Sequence, residues 1–217
     1  IVIQLGAILA VCFLYRAKLW ATVTGVLRRE PLALRFAVAV VVAFLPAAVI
    51  GVVAHKYIKS VLFSPWVVAI ALIVGGIAIL AIERLAQRPR IKSVDEVDLK
   101  TALYIGLCQC LAMVPGVSRA GATIMSALLL RVERKTATEF SFFLSIPTML
   151  GAAVYDLYKN RASLTFDGVT LIAIGFVFAF IAAMLVVRWV IAFISRHGFE
   201  PFGWYRIALG CVMLLVL

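Results

Sequence analysis

The sequence predicts an all-α polytopic transmembrane protein, and three observations carry this prediction. The 217 residues are 65% hydrophobic and only 14% charged, whereas an ordinary soluble domain is about half apolar and about a quarter charged. Several apolar stretches approach the about 20 residues that a helix needs to cross a hydrocarbon core of about 30 Å. The charges fall between these stretches. Together these features exclude a soluble globular protein.

The excess of basic residues is interpreted as topological. The chain carries 21 Lys and Arg against 10 Asp and Glu, a net charge of +11. Cytoplasmic loops of membrane proteins carry such an excess, whereas a nucleic-acid surface needs basic and aromatic residues on one exposed face. We therefore expect no nucleic-acid partner. The four cysteines lie in apolar stretches, which favours small apolar residues over disulfides or a zinc site.

The first quarter of the chain predicts a short helix, a connector and one span. Residues 1–15 are apolar but short for a crossing, and the start lacks a Met, so we expect the natural N-terminus to lie upstream. Residues 16–35 are rich in Arg and Lys and predict a basic connector. Residues 36–54 predict a span that ends at His55. Pro46 is expected to kink this span, because neighbouring helices can satisfy the freed carbonyl.

The later spans share an apolar composition and polar or basic flanks. We predict them at 66–82, 139–158, 168–187 and 201–217. The third is expected to run on past Arg188 into a segment that lies along the membrane interface.

Residues 101–131 are too long and too broken, with a Pro-Gly pair at the centre, for one straight crossing. The basic loops 16–35, 83–100 and 131–135 all favour the cytoplasmic side. Both ends of the segment then lie on one side, so it must enter and leave by the same face. We predict a re-entrant hairpin of two half-helices that meet near the bilayer middle. Irregular backbone at that depth must be buried by protein or line a wet cavity, which makes the tip the candidate site.

The second half-helix begins at the tip with Ser118 and Arg119. A helix start presents unpaired N–H groups and a positive dipole end, which bind phosphate. Ser118 adds a hydroxyl, and Arg119 adds a guanidinium that matches phosphate oxygens two at a time. At helical spacing Thr123 and Ser126 share the face of Arg119, and Gln109 places an amide on the first half-helix.

A structural interpretation competes with the anion site. The Pro-Gly pair can be a kink, the hydroxyls can bond back to helix carbonyls, and Gly121 can permit close packing. For the hydroxyls alone this interpretation is favoured. Arg119 favours an anion site, because an arginine deep in a membrane is costly and by default functional. Arg206, inside the last apolar span, either joins such a site or snorkels to the interface.

Two further sets of polar residues favour structural roles. Thr136 and Glu139 fit a capping box, in which the Glu reaches back to the cap N–H. His55 and His197 lie at span ends without visible ligand partners, so we predict no metal site among these residues.

The tip closely resembles the PGxSRSGxTI signature of the undecaprenyl-diphosphate phosphatase family, the integral-membrane enzymes associated with bacitracin resistance. Residues 115–124 carry the match. Further similarity spans the chain through Ile3-Gln4-Leu5-Gly6, Gln109-Cys110-Leu111-Ala112, Glu139-Phe140-Ser141-Phe142 with Pro147, Asp156-Leu157-Tyr158-Lys159 and Pro201-Phe202 with Tyr205-Arg206.

The resemblance implies hydrolysis of undecaprenyl diphosphate to undecaprenyl phosphate and inorganic phosphate, at the outer face of the bacterial inner membrane during cell-wall synthesis. It implies a divalent cation, Mg or Ca, as cofactor, and a polyprenyl diphosphate and membrane lipids as partners, with a homodimer as the assembly to test. It implies Ser118 and Arg119 as catalytic residues. The substrate-binding residues implied are Gly116, Gly121, Thr123, Arg206, Gln109 and Glu139.

Two departures from the family pattern affect these expectations. Ala120 stands where the signature has its second Ser, which removes one hydroxyl. The family's glutamate-rich motif and Ser-Ser-Thr-Gly-His stretch are expected before Ile1, in a second hairpin that would complete an inverted repeat and hold most metal ligands and the general base. We therefore expect little hydrolysis from the 217 residues alone. Ser118 is then a phosphate-binding hydroxyl, since no base is in view to activate it.

The alternative function is a transporter or flippase for a phosphorylated lipid or another anion. Re-entrant hairpins with helix starts at the midplane also occur in transporters. Turnover of a diphosphate in detergent, without any gradient, separates the two functions.

Overall fold

The computed structural model describes residues 3–86, 88–160 and 166–217, without the side chains of 54–62, 156, 160 and 166–171. The side chains of His55, where a span was predicted to end, and of Asp156, which carries part of the family resemblance, therefore lie outside the described part. Within these ranges the fold is all-helical apart from one isolated bridge between Ile91 and Val132. The helices are α1 (Gln4–Leu14), α2 (Arg16–Leu27), α3 (Pro31–Leu62), α4 (Pro65–Leu85), α5 (Leu99–Gln109), α6 (Arg119–Leu129), α7 (Arg134–Asn160), α8 (Phe166–His197) and α9 (Glu200–Val216).

The predicted all-α polytopic architecture is confirmed. Among the described residues, four segments are long and apolar enough to cross a membrane, at Pro31–Val53, Pro65–Leu85, Arg134–Lys159 and Ile172–His197, and the bent pair of α1 and α2 would make a fifth. The four segments overlap the spans predicted at 36–54, 66–82, 139–158 and 168–187, and α9 overlaps the last predicted span. Pro46 and Pro147 both lie inside continuous helices.

Two predicted boundaries were wrong. Residues 16–35 are not a connector, since α2 occupies Arg16–Leu27 at 76° to α1. Helix α3 does not end at His55 but continues to Leu62. The span at 168–187 runs on past Arg188, as predicted, and continues to His197 as one helix. The common reason is that Lys and Arg are good helix formers, so a charge can end a hydrophobic stretch without ending the helix.

The basic loops gather at one end of the bundle, as predicted. Lys18 Nζ forms a 2.5 Å ion pair with Asp95, and Arg35 Nη2 donates to the Glu96 carbonyl at 3.3 Å. The Arg90 amide donates to the Arg131 carbonyl at 2.7 Å. These contacts join the loops around residues 16–35, 83–100 and 131–135, and we call this region the basic end.

Residues 99–129 fold as a helical hairpin. Helix α5 passes through a short 3-10 helix, Cys110–Met113, and α6 returns from the tip. The segments that precede and follow the hairpin meet, because Ile91 N donates to the Arg131 carbonyl at 3.1 Å and Glu133 N donates to the Ile91 carbonyl at 2.8 Å. A segment that enters and leaves by one face requires this arrangement. The depth of its tip in a bilayer stays a prediction.

The hairpin is wedged between α3 and α7. On α5, Ala102 and Ile105 are almost fully buried, and a Cβ on Gly106 would collide with the backbone of Ala43 in α3. On α6, the buried side chains run from Thr123 to Leu128. Both half-helices therefore pack through small or buried residues, which holds the tip against the bundle.

Helices α4 and α9 pack antiparallel through glycines. A Cβ on Gly76 would lie 2.7 Å from the Gly203 carbonyl, and one on Gly210 would lie 2.8 Å from the Ala69 carbonyl. Small residues of this kind let helix backbones approach closely in membranes. This pair of helices forms the wall against which the hairpin tip rests.

Candidate functional site

The tip turns at Gly116, whose φ of +91° suits only glycine without strain. A Cβ there would lie 2.6 Å from the Val68 carbonyl and 3.0 Å from the Ala71 side chain of α4. With a rise of 1.5 Å per residue, Val68 and Ala71 lie roughly 26 and 21 Å from Leu85, which is the basic end of an about 32 Å helix. The tip therefore lies beyond the middle of α4, towards the end opposite the basic loops.

Ser118 is the N-cap of α6. Its Oγ accepts a hydrogen bond from Gly121 N at 3.0 Å, and its carbonyl accepts from Ala122 N at 2.9 Å. A Cβ on Gly121 would lie 3.1 Å from the Ser118 Cβ, so a small residue suits this position. The cap leaves the Ser118 hydroxyl proton available to a ligand. The first amides of α6, at Arg119 and Ala120, have no partner within the helix.

Arg206 of α9 reaches the tip. Its Nη2 donates to the Gly116 carbonyl at 2.8 Å and to the Ala71 carbonyl at 3.3 Å. Gly75 makes this path possible, because a Cβ there would lie 2.6 Å from the same Nη2. Of the two alternatives for Arg206, the structure therefore places the side chain against the hairpin rather than at the interface.

Three buried donors of this region find no acceptor among the described residues. They are Gln109 Nε2, Arg119 Nη1 and Arg206 Nε. Gln109 is only 3% exposed. Arg119 lies at the start of α6, and Arg206 lies on α9, from which it binds the Gly116 carbonyl. Buried donors are normally paired, and each unpaired one costs about 1–3 kcal/mol. A ligand with several acceptor oxygens at the tip could satisfy the donors of Arg119 and Arg206, the second of which binds the Gly116 carbonyl.

The predicted polar stripe of α6 is buried and hydrogen-bonded within the protein. Thr123 is 2% exposed, and its hydroxyl lies 2.7 Å from the Ser141 hydroxyl of α7. Ser126 Oγ donates to the Thr123 carbonyl at 2.9 Å. Both hydroxyls bond to carbonyls of their own helix, which is the arrangement that the structural interpretation predicted.

Glu139 is not placed with the tip residues. It lies on α7 beside the Tyr15 hydroxyl, near Lys18 and Lys135. The predicted capping box is wrong, because α7 begins at Arg134. Thr136 is already inside the helix, and its hydroxyl donates to the Lys92 carbonyl at 2.7 Å.

The described residues do not fit a divalent cation. Within this part of the chain no group of three or more His, Cys, Asp or Glu could hold a metal ion. The side chains at the tip are instead guanidinium groups, which attract anions and repel cations, with neutral amide and hydroxyl groups that can donate to phosphate oxygens. What they can do is bind and neutralise a phosphate.

Sequence reasoning missed the backbone partners of Arg206 and the side chain of Ser141. Neither follows from a motif, since they depend on how α4, α7 and α9 pack. The Gly75-Gly76 pair was the available signal, because adjacent glycines in an apolar helix indicate a close approach.

Comparison with known proteins gives a consistent result over the whole chain. Residues 1–212 match the family described as Bacitracin resistance protein BacA. Undecaprenyl-diphosphatase 2 of Paramagnetospirillum magneticum is 58% identical over 217 residues, which cover 100% of this chain and 82% of the relative. Undecaprenyl-diphosphatases of Rhizorhabdus wittichii and Sphingopyxis alaskensis are 58% and 54% identical, with the same 100% and 82% coverage.

Proposed function

Because the chain belongs to the bacitracin resistance protein BacA family, we propose that it is an undecaprenyl-diphosphate phosphatase of the bacterial inner membrane. Similar proteins named undecaprenyl-diphosphatase match its full length. It hydrolyses undecaprenyl diphosphate to undecaprenyl phosphate and inorganic phosphate. The observation that supports a site at the hairpin tip is the group of unpaired buried donors on Gln109, Arg119 and Arg206.

The reaction breaks the bond between the terminal phosphorus and the bridging oxygen of the diphosphate. Water supplies the new oxygen, and undecaprenyl phosphate leaves with the bridging oxygen. Negative charge on the phosphoryl oxygens must be stabilised as this bond breaks, and oriented cationic donors do so in phosphoryl transfer. We assign this role to Arg119 and to the start of α6, with Ser118 as a hydroxyl donor to a phosphate oxygen.

Arg206 has two roles in this proposal. Its Nη2 donates to the Gly116 carbonyl, so this arginine positions the turn that precedes Ser118. Its unpaired Nε leaves a donor for the diphosphate. Gln109 would add a neutral donor from the first half-helix. We assign supporting roles to Thr123, whose hydroxyl contacts Ser141, and to Glu139, which lies beside Tyr15, rather than contact with the phosphate.

We propose further that the site opens to the outer face. The tip lies against Val68 and Ala71, beyond the middle of α4 from the basic end, and basic loops face the cytoplasm. In a variant without the natural cysteines, the thiol of Ala120→Cys should react with a membrane-impermeant thiol reagent added to intact cells or right-side-out vesicles. The same reagent should fail to label Arg90→Cys, and the reverse pattern would refute this orientation.

Phosphate release from undecaprenyl diphosphate in detergent tests the activity, using the full-length protein with and without Mg²⁺ or Ca²⁺. Release that requires the cation would establish the expected cofactor. No release from a folded protein would refute the phosphatase. The comparisons give no support to the transport alternative, since the similar proteins are named for diphosphatase activity. Molecular mass in detergent tests the expected homodimer.

A further inference from the structure

A polar cavity lies at the basic end, far from the hairpin tip. It has a volume of about 320 Å³, within the range of small-molecule sites, and four helices contribute to it. The lining side chains that carry charge or can carry it are Glu83, Arg134, Arg196, His197 and Glu200. Nothing in the proposed hydrolysis uses these residues.

Glu83 is the buried centre of this cavity. Its side chain is only 6% exposed, and its Oε1 accepts a 2.7 Å ion pair from Arg134 Nε. The other oxygen, Oε2, is buried and has no partner among the described residues. An unpaired buried carboxylate oxygen is costly, so this atom favours a ligand that brings a strong hydrogen-bond donor.

The backbone of the α8–α9 turn is shaped around this carboxylate. Gly198 has a φ of +69°, and a Cβ there would collide with Glu83 Oε1. The turn therefore needs glycine both for its conformation and for the space that the ion pair occupies. The cavity is a built feature of the fold rather than a gap between loops.

The charges around the cavity balance. Two carboxylates, Glu83 and Glu200, face two guanidinium groups, Arg134 and Arg196, with His197 beside them. A simple cation would be repelled by the arginines, and a simple anion would be repelled by the carboxylates. A zwitterion with an ammonium and a phosphate at opposite ends matches both sets.

The surroundings of the cavity are those of a membrane interface. Trp189, Phe193 and His197 stack along α8, with ring centroids 5.0 and 4.6 Å apart, and Trp189 is exposed. Trp189 lies about 12 Å before the end of α8, so these rings lead from the apolar part of that helix to the cavity. The cavity itself lies where α4 and α8 end and where α7 and α9 begin, and it therefore opens near the depth at which phospholipid headgroups lie.

We propose that this cavity binds a phosphoethanolamine group, from a phospholipid headgroup or from the free compound. The ammonium donates to Glu83 Oε2 with Glu200 nearby, and the phosphate accepts from Arg196 and from the Arg134 nitrogens that do not bind Glu83. This inference does not depend on the activity at the hairpin tip.

Native mass spectrometry of the full-length protein, purified without lipid, tests the proposal. We expect phosphatidylethanolamine to bind at least tenfold more tightly than phosphatidylcholine, because three N-methyl groups remove every N–H donor, and a hydrogen bond to a charged group corresponds to roughly tenfold or more in affinity. Competition by free phosphoethanolamine would identify the headgroup alone as sufficient. Binding of the lipid without such competition would identify the phospholipid as the ligand.

Variants localise the binding. Glu83→Gln should abolish the preference for ethanolamine over choline, whereas the matched change Glu30→Gln, at an exposed carboxylate outside the cavity, should preserve it. If Glu83→Gln does not fold, Glu200→Gln removes the second carboxylate from an exposed position and should reduce the preference several-fold. Equal binding of the two lipids to the wild-type protein, or an unchanged preference in both cavity variants, would overturn the proposal.

Discussion

Arg119 should be required for activity but not for stability. In the structure its Nη1 is buried without a partner among the described residues. Removing a guanidinium of this kind deletes an unsatisfied donor rather than a bond. Arg119→Met keeps an unbranched stem in the same space and removes every donor, which makes it the suitable perturbation.

The magnitudes for Arg119→Met follow from two separate effects. Loss of one donor to the developing phosphoryl charge costs about 100- to 1,000-fold in kcat, by analogy with oxyanion-hole donors. The folded state, however, no longer holds an unpaired buried donor, whose cost is about 1–3 kcal/mol. We therefore expect a large loss of rate together with an unchanged or raised thermal midpoint.

Arg206→Met gives the contrasting result that makes the test informative. Arg206 donates to the Gly116 and Ala71 carbonyls, and a hydrogen bond from a charged group contributes about 1.5–3 kcal/mol. This variant should lose both activity and thermal stability. Arg35→Met, at an exposed arginine of the basic end that donates to the Glu96 carbonyl, is the matched control and should retain activity.

The assay is phosphate release from undecaprenyl diphosphate in detergent, with thermal unfolding recorded in the same buffer. Full activity in folded Arg119→Met would refute the assignment of the site to the tip. If the rate of Arg119→Met instead falls only in proportion to its folded fraction, the claim that Arg119 acts in catalysis and not in stability would be refuted.

Three further predictions follow from the hairpin. Gly116→Ala should lower the thermal midpoint and the activity together, because a left-handed backbone costs a non-glycine residue about 1–2 kcal/mol and the new Cβ would lie 2.6 Å from the Val68 carbonyl; an unchanged midpoint in thermal unfolding would contradict this. Ala120→Ser adds a hydroxyl at an exposed position of the tip and should raise kcat/KM about two- to tenfold, as one hydrogen bond of about 0.5–1.5 kcal/mol allows; a lower kcat/KM would argue against phosphate at this helix start. Hydrogen bonds from Thr101 hold the pKa of Asp98 below its usual range, so its capping of α5 stabilises the fold above the ordinary Asp pKa and is lost as the pH falls through the lowered value. Asp98→Ala should lower the free energy of unfolding by about 0.5–2 kcal/mol at neutral pH. It should also remove the part of the fall in thermal midpoint at acid pH that the protonation of Asp98 causes.

The hairpin shows what local sequence rules can predict. A Pro-Gly break inside an apolar segment and basic residues at both of its ends were enough to place two half-helices and their joined outer ends. The same rules failed for residues 16–35, because basic residues that end a hydrophobic stretch still form helix, and α2 follows α1 after a 76° bend.

The site was only partly predictable, because side-chain direction depends on packing partners. Arg119, Thr123 and Ser126 share one helical face by spacing, yet Thr123 contacts Ser141 of α7 while Arg119 keeps an unpaired donor. Nothing local in the sequence distinguishes these environments. Arg206 reaches the tip only because α9 packs antiparallel on α4 and Gly75 leaves room for the guanidinium.

The way the hairpin is held favours hydrolysis over transport on physical grounds. Its first half-helix meets the backbone of α3 at Gly106, its turn meets the backbone of α4 at Gly116, and Arg206 holds the same turn from α9. Alternating access needs one bundle to rock against another around the site, and it would have to break these close backbone contacts in each cycle. Phosphoryl transfer instead needs donors that are already in place when charge develops. A tip fixed by three helices, with its free donors buried, meets that requirement.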